Sequence, residues 1–222
     1  MPRAARREAP GVIHHVTGRS TGGLAIFASG ARCTRFLELL NVSARDCGWL
    51  VYAHCLMSNH FHLLIGTPDA NLGVGMRRLK GVFAQRLNRE EDRRGAVWGE
   101  RFHSRPVETE AHGLQTAAYI PLNPVKAGIV RRPSEWRWSS YRATAGLAPC
   151  PPFLAADAML SWLDADVERA RMRYRTWINA TAARLVAAQD GGQSPAGTVP
   201  GTGGAPRDGG QSPAGTVPGG AP

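Results

Sequence analysis

Two histidines separated by one residue, His60 and His62, are the part of this sequence best suited to chemistry. They lie in an apolar run, residues 56–65, that predicts a buried strand. Because side chains alternate across a strand, both imidazoles share one face while Phe61 lies on the other. Neutral imidazole is the commonest protein metal ligand, so the pair predicts half of a metal site. The alternative is that one ring caps an edge strand and the other faces water.

A metal site near phosphates also needs a nucleophile, and the candidate lies further along the chain. A tyrosine and an asparagine follow His62 by 57 and 61 residues and carry a phenol and a carboxamide. Tyr119 and Asn123 are four residues apart, so a continuous helix would present the phenol and the carboxamide oxygen on the same face. Pro121 lies between them and predicts that this helix kinks or ends early. The alternative for Tyr119 is an amphipathic core residue whose hydroxyl reaches the surface.

The order of predicted elements indicates an α+β fold. Apolar and β-branched runs predict strands at residues 12–17, 49–57, 60–66 and 104–108. Helical spacing of apolar residues predicts helices over residues 31–46 and 72–88, and Thr109 is suited to cap a third helix. This order describes a ferredoxin-like βαββαβ sheet with one added helix, which carries Tyr119. The strand with the two histidines should be central in that sheet.

The chain is basic, with 27 Lys and Arg against 17 Asp and Glu and a net charge of +10. Only three charged residues lie beyond position 189, so the excess belongs to the part predicted to fold, as expected of a phosphate-backbone binder. Cations flank the apolar stripe of residues 72–88, which favours a helix that faces nucleic acid over an ordinary solvated face. The candidate DNA contacts are Arg77, Arg78, Lys80, Arg86, Arg101 and Arg105. Surface ion pairs are an equal alternative for the last two.

Composition excludes several classes of protein. The four cysteines form no Cys-x-x-Cys pair, which argues against a structural zinc site and fits a reducing cytosol. The N-terminus lacks the apolar segment of a secretory signal, and no stretch approaches the roughly 20 apolar residues of a membrane span. We therefore expect a soluble intracellular protein that does not bind a membrane.

The sequence predicts four regions. Residues 1–11 are a basic arm, residues 12–149 the main domain, and residues 150–189 a helical extension. Residues 190–222 contain an 11-residue Gly- and Pro-rich segment twice, with a period of 18 residues. Because almost nothing apolar is available to bury, this segment is predicted to be a disordered tail and not a solenoid.

Three separated blocks, in order, resemble the REP-associated tyrosine transposases, which are single-tyrosine, IS200-like members of the HUH endonuclease superfamily. They are residues 57–64 (MSNHFHLL), 119–130 (YIPLNPVKAGIV) and 138–142 (WSSYR), and residues 14–19, 25–27 and 99–102 fit the same pattern. The resemblance covers roughly residues 12–145. His54 stands where the family commonly has an aromatic residue, and residues 18–23 replace a more basic turn.

The resemblance implies that His60 and His62 bind a divalent metal, that Asn123 completes the site, and that Tyr119 is the nucleophile. It also implies cleavage of single-stranded DNA beside an imperfect-palindrome hairpin, with a 5′-phosphotyrosine intermediate and a free 3′-hydroxyl. Two imidazoles match Mn²⁺ better than Mg²⁺, whereas cellular abundance favours Mg²⁺. A bacterial cytoplasmic protein, associated with the nucleoid when bound to DNA, is expected, and either a monomer or a homodimer is compatible with the sequence.

Two other functions remain open at this stage. One is a nucleic-acid-binding module that has kept the sheet but has no activity, although the aromatic signature of the RNA-binding modules on such sheets is absent from this sequence. The other is a metal phosphodiesterase that uses water instead of tyrosine as the nucleophile. Capture of DNA covalently on the protein would separate the three functions.

Overall fold

The computed structural model describes residues 8–191, which form four strands and six α-helices. In chain order these elements are β1 (Val12–Arg19), α1 (Gly30–Cys47), β2 (Leu50–Leu56), β3 (His60–Thr67), α2 (Leu72–Glu90), β4 (His103–Val107), α3 (Glu110–Lys126), α4 (Tyr141–Thr144), α5 (Ala156–Leu160) and α6 (Val167–Gly191). The predicted order of strands and helices is confirmed up to α3, with boundaries that differ by a few residues.

The four strands form one antiparallel sheet in the order β2-β3-β1-β4. This is the strand order of a ferredoxin-like fold, so the predicted fold class is confirmed. Strand β3, which carries the two histidines, lies between β2 and β1 and is therefore central, as the sequence predicted. Its register pairs His62 with Thr17 and His60 with Arg19 of β1.

Helices α1 and α2 cover one face of the sheet. Phe61 and Leu63 point from β3 into a core with Phe36 of α1 and Phe83 of α2, and all four are buried. Every apolar residue of the stripe predicted on α2 is buried in this layer. The alternation along β3 therefore sends its odd-numbered residues to this face.

Helix α3 covers the opposite face, and α6 packs against α3. Leu64 of β3, Ile120 of α3, and Tyr174 and Ile178 of α6 share a second buried core. His60 and His62 lie on this same face because they are separated from Leu64 by even numbers of residues. The sheet thus presents its histidines to the helix that carries Tyr119.

Helix α3 begins where the sequence predicted and continues further than predicted. Thr109 caps it, since the hydroxyl oxygen accepts a hydrogen bond from the backbone N–H of His112 over 3.1 Å. Of the two outcomes expected for Pro121, an early end of the helix was wrong, because α3 runs through Pro121 and Pro124 to Lys126. A kink at Pro121 stays a prediction. The packing of its apolar face against the sheet and α6 holds the helix together across both prolines.

Helix α6 packs along α3 and supports its C-terminal end. The side-chain N–H groups of Gln189 donate to the backbone oxygens of Val125 and Lys126, each over 3.1 Å. Asp190 forms an ion pair with Arg131 at 2.6 Å. Helix α6 extends to Gly191 and so includes the first two residues of the predicted tail. Residues 1–7 of the predicted arm and residues 192–222 of the predicted tail lie outside the described part.

The segment that contains the WSSYR block lies along the outer edge of β2. Leu56 donates its backbone N–H to the oxygen of Trp138, and Ser140 donates its own to the oxygen of His54, both over 2.9 Å. The indole N–H of Trp136 donates to the oxygen of Leu56. These bonds satisfy backbone groups that an exposed edge strand would leave open.

Within residues 8–191, no helix is long and apolar enough to cross a membrane. The four cysteines are free thiols, and two of them, Cys33 and Cys55, are buried.

Candidate active site

A cavity of about 450 Å³ lies between the sheet and helix α3, near the end of β1 and the start of β3. Strand β1, strand β3 and the start of β4 supply one wall, and the last two turns of α3 supply the other. The lining residues are Thr17, Gly18, Arg19, Met57, His60, His62, His103, Tyr119, Asn123, Lys126 and Ala127. The structure therefore brings together the four residues that the sequence proposed as metal ligands and nucleophile.

The two strand histidines have their rings 5.2 Å apart, between centroids. His60 is fixed further by its neighbour, since its Nδ1 lies 2.7 Å from the side-chain oxygen of Asn59. An amide oxygen only accepts hydrogen bonds, so this contact requires a proton on Nδ1 and leaves the lone pair on Nε2. A histidine held this way is prepared to bind a metal through Nε2.

Both imidazoles are held in the neutral form that metal binding requires. Burial lowers the pKa of His62 to about 3, and the adjacent rings of His60 and His15 and the charge of Arg19 act in the same direction. The pKa of His60 is also lowered, by burial and then by Arg19. Neither ring therefore needs to lose a proton before it binds a cation at neutral pH.

Tyr119 faces the histidines from α3. Its ring meets that of His62 edge-on, with 5.9 Å between the centroids, and the side chain remains 39% exposed. The ammonium nitrogen of Lys126 lies 5.4 Å from the centre of the tyrosine ring. The phenol is thus accessible to a substrate that enters the cavity, and a cation lies beside it.

Asn123 lies one turn after Tyr119 and is almost buried. Its amide nitrogen donates to the backbone oxygens of Tyr119, over 3.1 Å, and of Ile120, over 3.0 Å. The amide nitrogen is therefore engaged with the helix, and the carboxamide oxygen is the atom that remains to bind a cation. This is the orientation that a metal-ligating asparagine needs.

Seven lining residues were not among the predicted site residues, and three of them carry charge or a titratable ring: Arg19, His103 and Lys126. Arg19 and Thr17 lie on the face of β1 that the sheet directs toward α3. The predicted ferredoxin-like sheet implies that β1 lies beside β3, but only the register seen in the structure places these two side chains at the cavity.

His15 is a further residue that the sequence reasoning did not select, although it belongs to one of the family-like blocks. Its Nε2 lies 3.2 Å from Nδ1 of His62, and its ring also contacts that of Tyr119, with 6.1 Å between the centroids. Burial lowers the pKa of His15, and the charges of Arg105 and His112 add to that effect. His15 is therefore a neutral ring that touches two of the predicted functional residues.

The cations predicted to contact DNA are distributed over both faces of the sheet. Arg77, Arg78, Lys80 and Arg86 lie on α2, on the face opposite the cavity. Of these, Arg78 pairs with Asp46 at 2.7 Å. Lys80 is buried, donates to the backbone oxygen of Glu100 over 2.9 Å, and lies over the ring of Trp98.

The other two predicted contacts lie in or near β4. Arg105 is exposed on β4, opposite His15 in the register of the sheet, and so lies on the face of the cavity. Arg101 precedes β4 and lines a second cavity, of about 560 Å³, together with Arg77 and Lys80. DNA contact by all six residues remains a prediction.

Among residues 8–191, no group of three or more His, Cys, Asp or Glu side chains converges to hold a metal. The donors at the cavity are two neutral imidazoles and one amide oxygen. This set fits a divalent cation that takes the rest of its ligands from water or from phosphate oxygens, as catalytic metal sites with open positions do.

Comparison with known proteins identifies a transposase family to which this chain is similar. Residues 26–122 match the family model described as "Transposase IS200 like". A REP-associated tyrosine transposase of Haemophilus influenzae is 30% identical over 100 residues, which are 40% of this chain and 57% of the relative. The chain thus matches little more than half the length of that curated relative. The family match confirms the resemblance that the motifs indicated.

Two solved structures are similar to this one. The first, a REP-associated tyrosine transposase bound to a REP hairpin, superposes with a TM-score of 0.58 at 18% identity, over 70% of this chain and 92% of that chain. The second is a transposase from Deinococcus radiodurans, with a TM-score of 0.38 at 19% identity, over 54% of this chain and 95% of that chain. The first similarity supports the fold.

Proposed function

Residues 26–122 carry the sequence pattern of the IS200-like transposases, and on that premise we propose that this protein is a metal-dependent tyrosine transposase of the HUH type. It cleaves and transfers single-stranded DNA beside a hairpin, and Tyr119 forms the covalent link. The observation that carries this proposal is the edge-on approach of Tyr119 to His62, at 5.9 Å between ring centroids, in one cavity with His60 and Asn123. In this arrangement the phenol and the metal donors would both face a DNA phosphate that binds in the cavity.

The reaction exchanges one phosphate ester for another. The phenol oxygen of Tyr119 forms a bond to phosphorus and the bond to the 3′ oxygen breaks. The phenol proton leaves, and the departing 3′ oxygen gains a proton as the free hydroxyl. The product is a 5′-phosphotyrosine, which a second 3′-hydroxyl can attack to complete strand transfer.

The surroundings of Tyr119 are suited to this chemistry. A protonated phenol is a weak nucleophile, so the phosphate must be made a better electrophile. Lys126 and Arg19 line the cavity and supply positive charge for the phosphate oxygens. Because the Tyr119 side chain is partly exposed, a DNA strand can reach it without unfolding of α3.

His60, His62 and the oxygen of Asn123 are the groups that would hold the metal. A bound divalent cation stabilises the negative charge that develops on the phosphate oxygens. Two imidazole donors favour Mn²⁺, and Mg²⁺ remains the more abundant cellular ion.

The proposed substrate is a single strand that folds into a hairpin. The similar solved structure is bound to a REP hairpin, and the chain has the excess of positive charge that phosphate contacts need. A metal on the sheet and a tyrosine on α3 must reach one phosphate from opposite walls of the cavity, and a paired complementary strand would obstruct that approach. Perfect duplex of the same sequence should therefore be a poor substrate.

Covalent capture tests this proposal. A labelled hairpin oligonucleotide with an unpaired flank, incubated with Mn²⁺ or Mg²⁺, should give a protein-linked band on a denaturing gel for wild type and none for Tyr119→Phe. Tyr141→Phe is the matched control, because Tyr141 is buried and its hydroxyl donates to the side-chain oxygen of Asn179 over 3.0 Å. That variant should keep the band.

Each alternative function predicts a different result in the same assay. A band that survives in Tyr119→Phe would assign the nucleophile to another residue. Cleavage without any protein-linked band would indicate a phosphodiesterase that uses water, and hairpin binding without cleavage would indicate a binding module. Equal cleavage of hairpin and perfect duplex would overturn the transposase proposal.

A further inference from the structure

The two predicted metal ligands are both held through the same ring nitrogen. His60 contacts the side-chain oxygen of Asn59 through Nδ1, at 2.7 Å. His62 contacts His15 through Nδ1 as well, at 3.2 Å to Nε2 of the second ring. In each case the contact uses Nδ1, and Nε2, the nitrogen at the far side of the ring, forms no hydrogen bond within residues 8–191.

The position of His15 follows from the register of the sheet. Thr17 of β1 pairs with His62, and His15 lies two residues earlier on β1, on the same face. Diagonal neighbours on adjacent strands are within reach of large rings. The two imidazole rings are accordingly close to parallel and lie edge to edge, with 5.5 Å between centroids and 24° between ring planes.

We propose that His15 is a positioning residue that accepts a hydrogen bond from Nδ1–H of His62 and thereby directs the Nε2 lone pair of His62 into the cavity. His15 does for His62 what Asn59 does for His60. This inference rests on the proposed function, since it assigns a role in preparing the metal ligands. It goes further because His15 itself contacts neither the metal nor the DNA.

The geometry favours this role over a third ligand. If His15 bound the ion together with His62, the two nitrogens now facing each other would both have to be ligands, and His62 would bind through Nδ1. His60 offers Nε2, because its Nδ1 is engaged with Asn59. Among the described residues, His15, His60 and His62 do not converge as a three-residue metal cluster.

The first test reads the tautomer of His62 without metal or DNA. Long-range proton–nitrogen NMR of the apo protein should show His62 as the Nδ1–H tautomer in wild type. His15→Gln, whose side-chain oxygen can accept the same bond, should keep that tautomer, whereas His15→Leu should shift His62 toward Nε2–H. A wild-type His62 already in the Nε2–H form, or no change in His15→Leu, would overturn the inference.

The second test measures Mn²⁺ affinity by titration. Loss of a hydrogen-bond partner behind a metal-ligating histidine typically weakens binding about 10- to 100-fold, so His15→Leu should raise the Kd by that factor and His15→Gln should restore most of it. His112→Gln is the matched control, because His112 is an exposed histidine on the neighbouring α3. Its Kd should equal that of wild type, and folding of each variant is checked by thermal melting.

The outcomes separate this inference from the proposed function. If wild type gives no covalent band with hairpin DNA, the proposed function fails, while the tautomer measurement still decides the role of His15. If wild type gives the band and His15→Leu binds Mn²⁺ as tightly as wild type, only the role of His15 fails. An equal loss of affinity in His15→Gln and His15→Leu, with three imidazoles around Mn²⁺ in wild type by pulsed EPR, would make His15 a ligand and overturn the positioning role.

Discussion

The side-chain amide of Asn123 donates a hydrogen bond to the backbone oxygen of Ile120 over 3.0 Å. That oxygen lies four residues before Pro124, which has no N–H to offer it in the usual helical bond. Asn123 therefore replaces the hydrogen bond that the proline removes, and at the same time its oxygen remains for a cation. One residue thus links the continuity of the tyrosine helix to the candidate metal site.

This relationship predicts how stability responds to a pair of substitutions. Asn123→Ala leaves a buried carbonyl oxygen without a donor, which should lower the free energy of unfolding by about 1–3 kcal/mol. Pro124→Ala, added to Asn123→Ala, restores a backbone N–H at position 124 and should recover part of that loss. Urea denaturation of the two single variants and the double variant measures the coupling. Strict additivity would show that the Asn123 bond does not substitute for the missing N–H.

The histidine pair predicts separable effects on cleavage and on binding. His60→Ala or His62→Ala should abolish the covalent band, because a metal donor is lost, while hairpin binding changes little, because phosphate contacts from Arg and Lys supply most of the affinity. Gel shift and covalent capture on the same samples measure both. His112→Ala should behave as wild type in both assays. Cleavage by wild type that persists in excess EDTA would contradict the metal assignment.

A buried histidine elsewhere predicts a loss of stability in acid. Burial lowers the pKa of His54 to about 4, and its Nδ1 has no hydrogen-bond partner among the described residues. The unfolded chain takes up a proton near pH 6.5 and the folded protein does not, so stability is fully present above pH 6.5 and falls as the pH drops toward 4. The shift corresponds to roughly 3 kcal/mol over that range.

The matching variant is His54→Phe, since the His54 ring lies 5.6 Å from that of Phe153, between centroids, and a cavity of about 710 Å³ beside it leaves room for the substitution. Because an unsatisfied buried polar group costs about 1–3 kcal/mol, this variant should be more stable than wild type at neutral pH. It should also lose the part of the pH dependence that His54 contributes. Melting temperatures of both proteins between pH 4 and pH 7 measure the difference, and parallel curves would refute the prediction.

The basic residues predict which surface binds the hairpin. Arg77 and Arg101 are exposed and line one cavity, so replacing either with Gln should weaken hairpin binding and lower the slope of log K against log salt by about 1. Arg45→Gln is the control, because Arg45 is an exposed cation that pairs with Asp46 and is not among the predicted DNA contacts. Equal slopes for wild type and the Arg77 and Arg101 variants would place the hairpin elsewhere.

The sequence by itself determined the features that depend on local spacing. The alternation of residues 60–65 sets His60 and His62 on one face of a strand, and the apolar stripe of residues 72–87 sets the buried side of a helix. Thr109 caps the start of α3 because its hydroxyl oxygen can accept a hydrogen bond from a backbone N–H that has no partner within the helix. The motif blocks, taken with these elements, were sufficient to indicate the family and its candidate nucleophile.

Only the tertiary structure decided which distant residues meet. His15 contacts His62 because β1 and β3 pair in one particular register, and a shift by one residue would turn His15 to the other face. Alternate residues of β3 enter cores on opposite faces of the sheet. Helix α2 packs on the face opposite His60 and His62, and its cations therefore lie opposite the cavity. Helix α3 passes through two prolines because packing against the sheet and α6 outweighs the local preference of proline to end a helix.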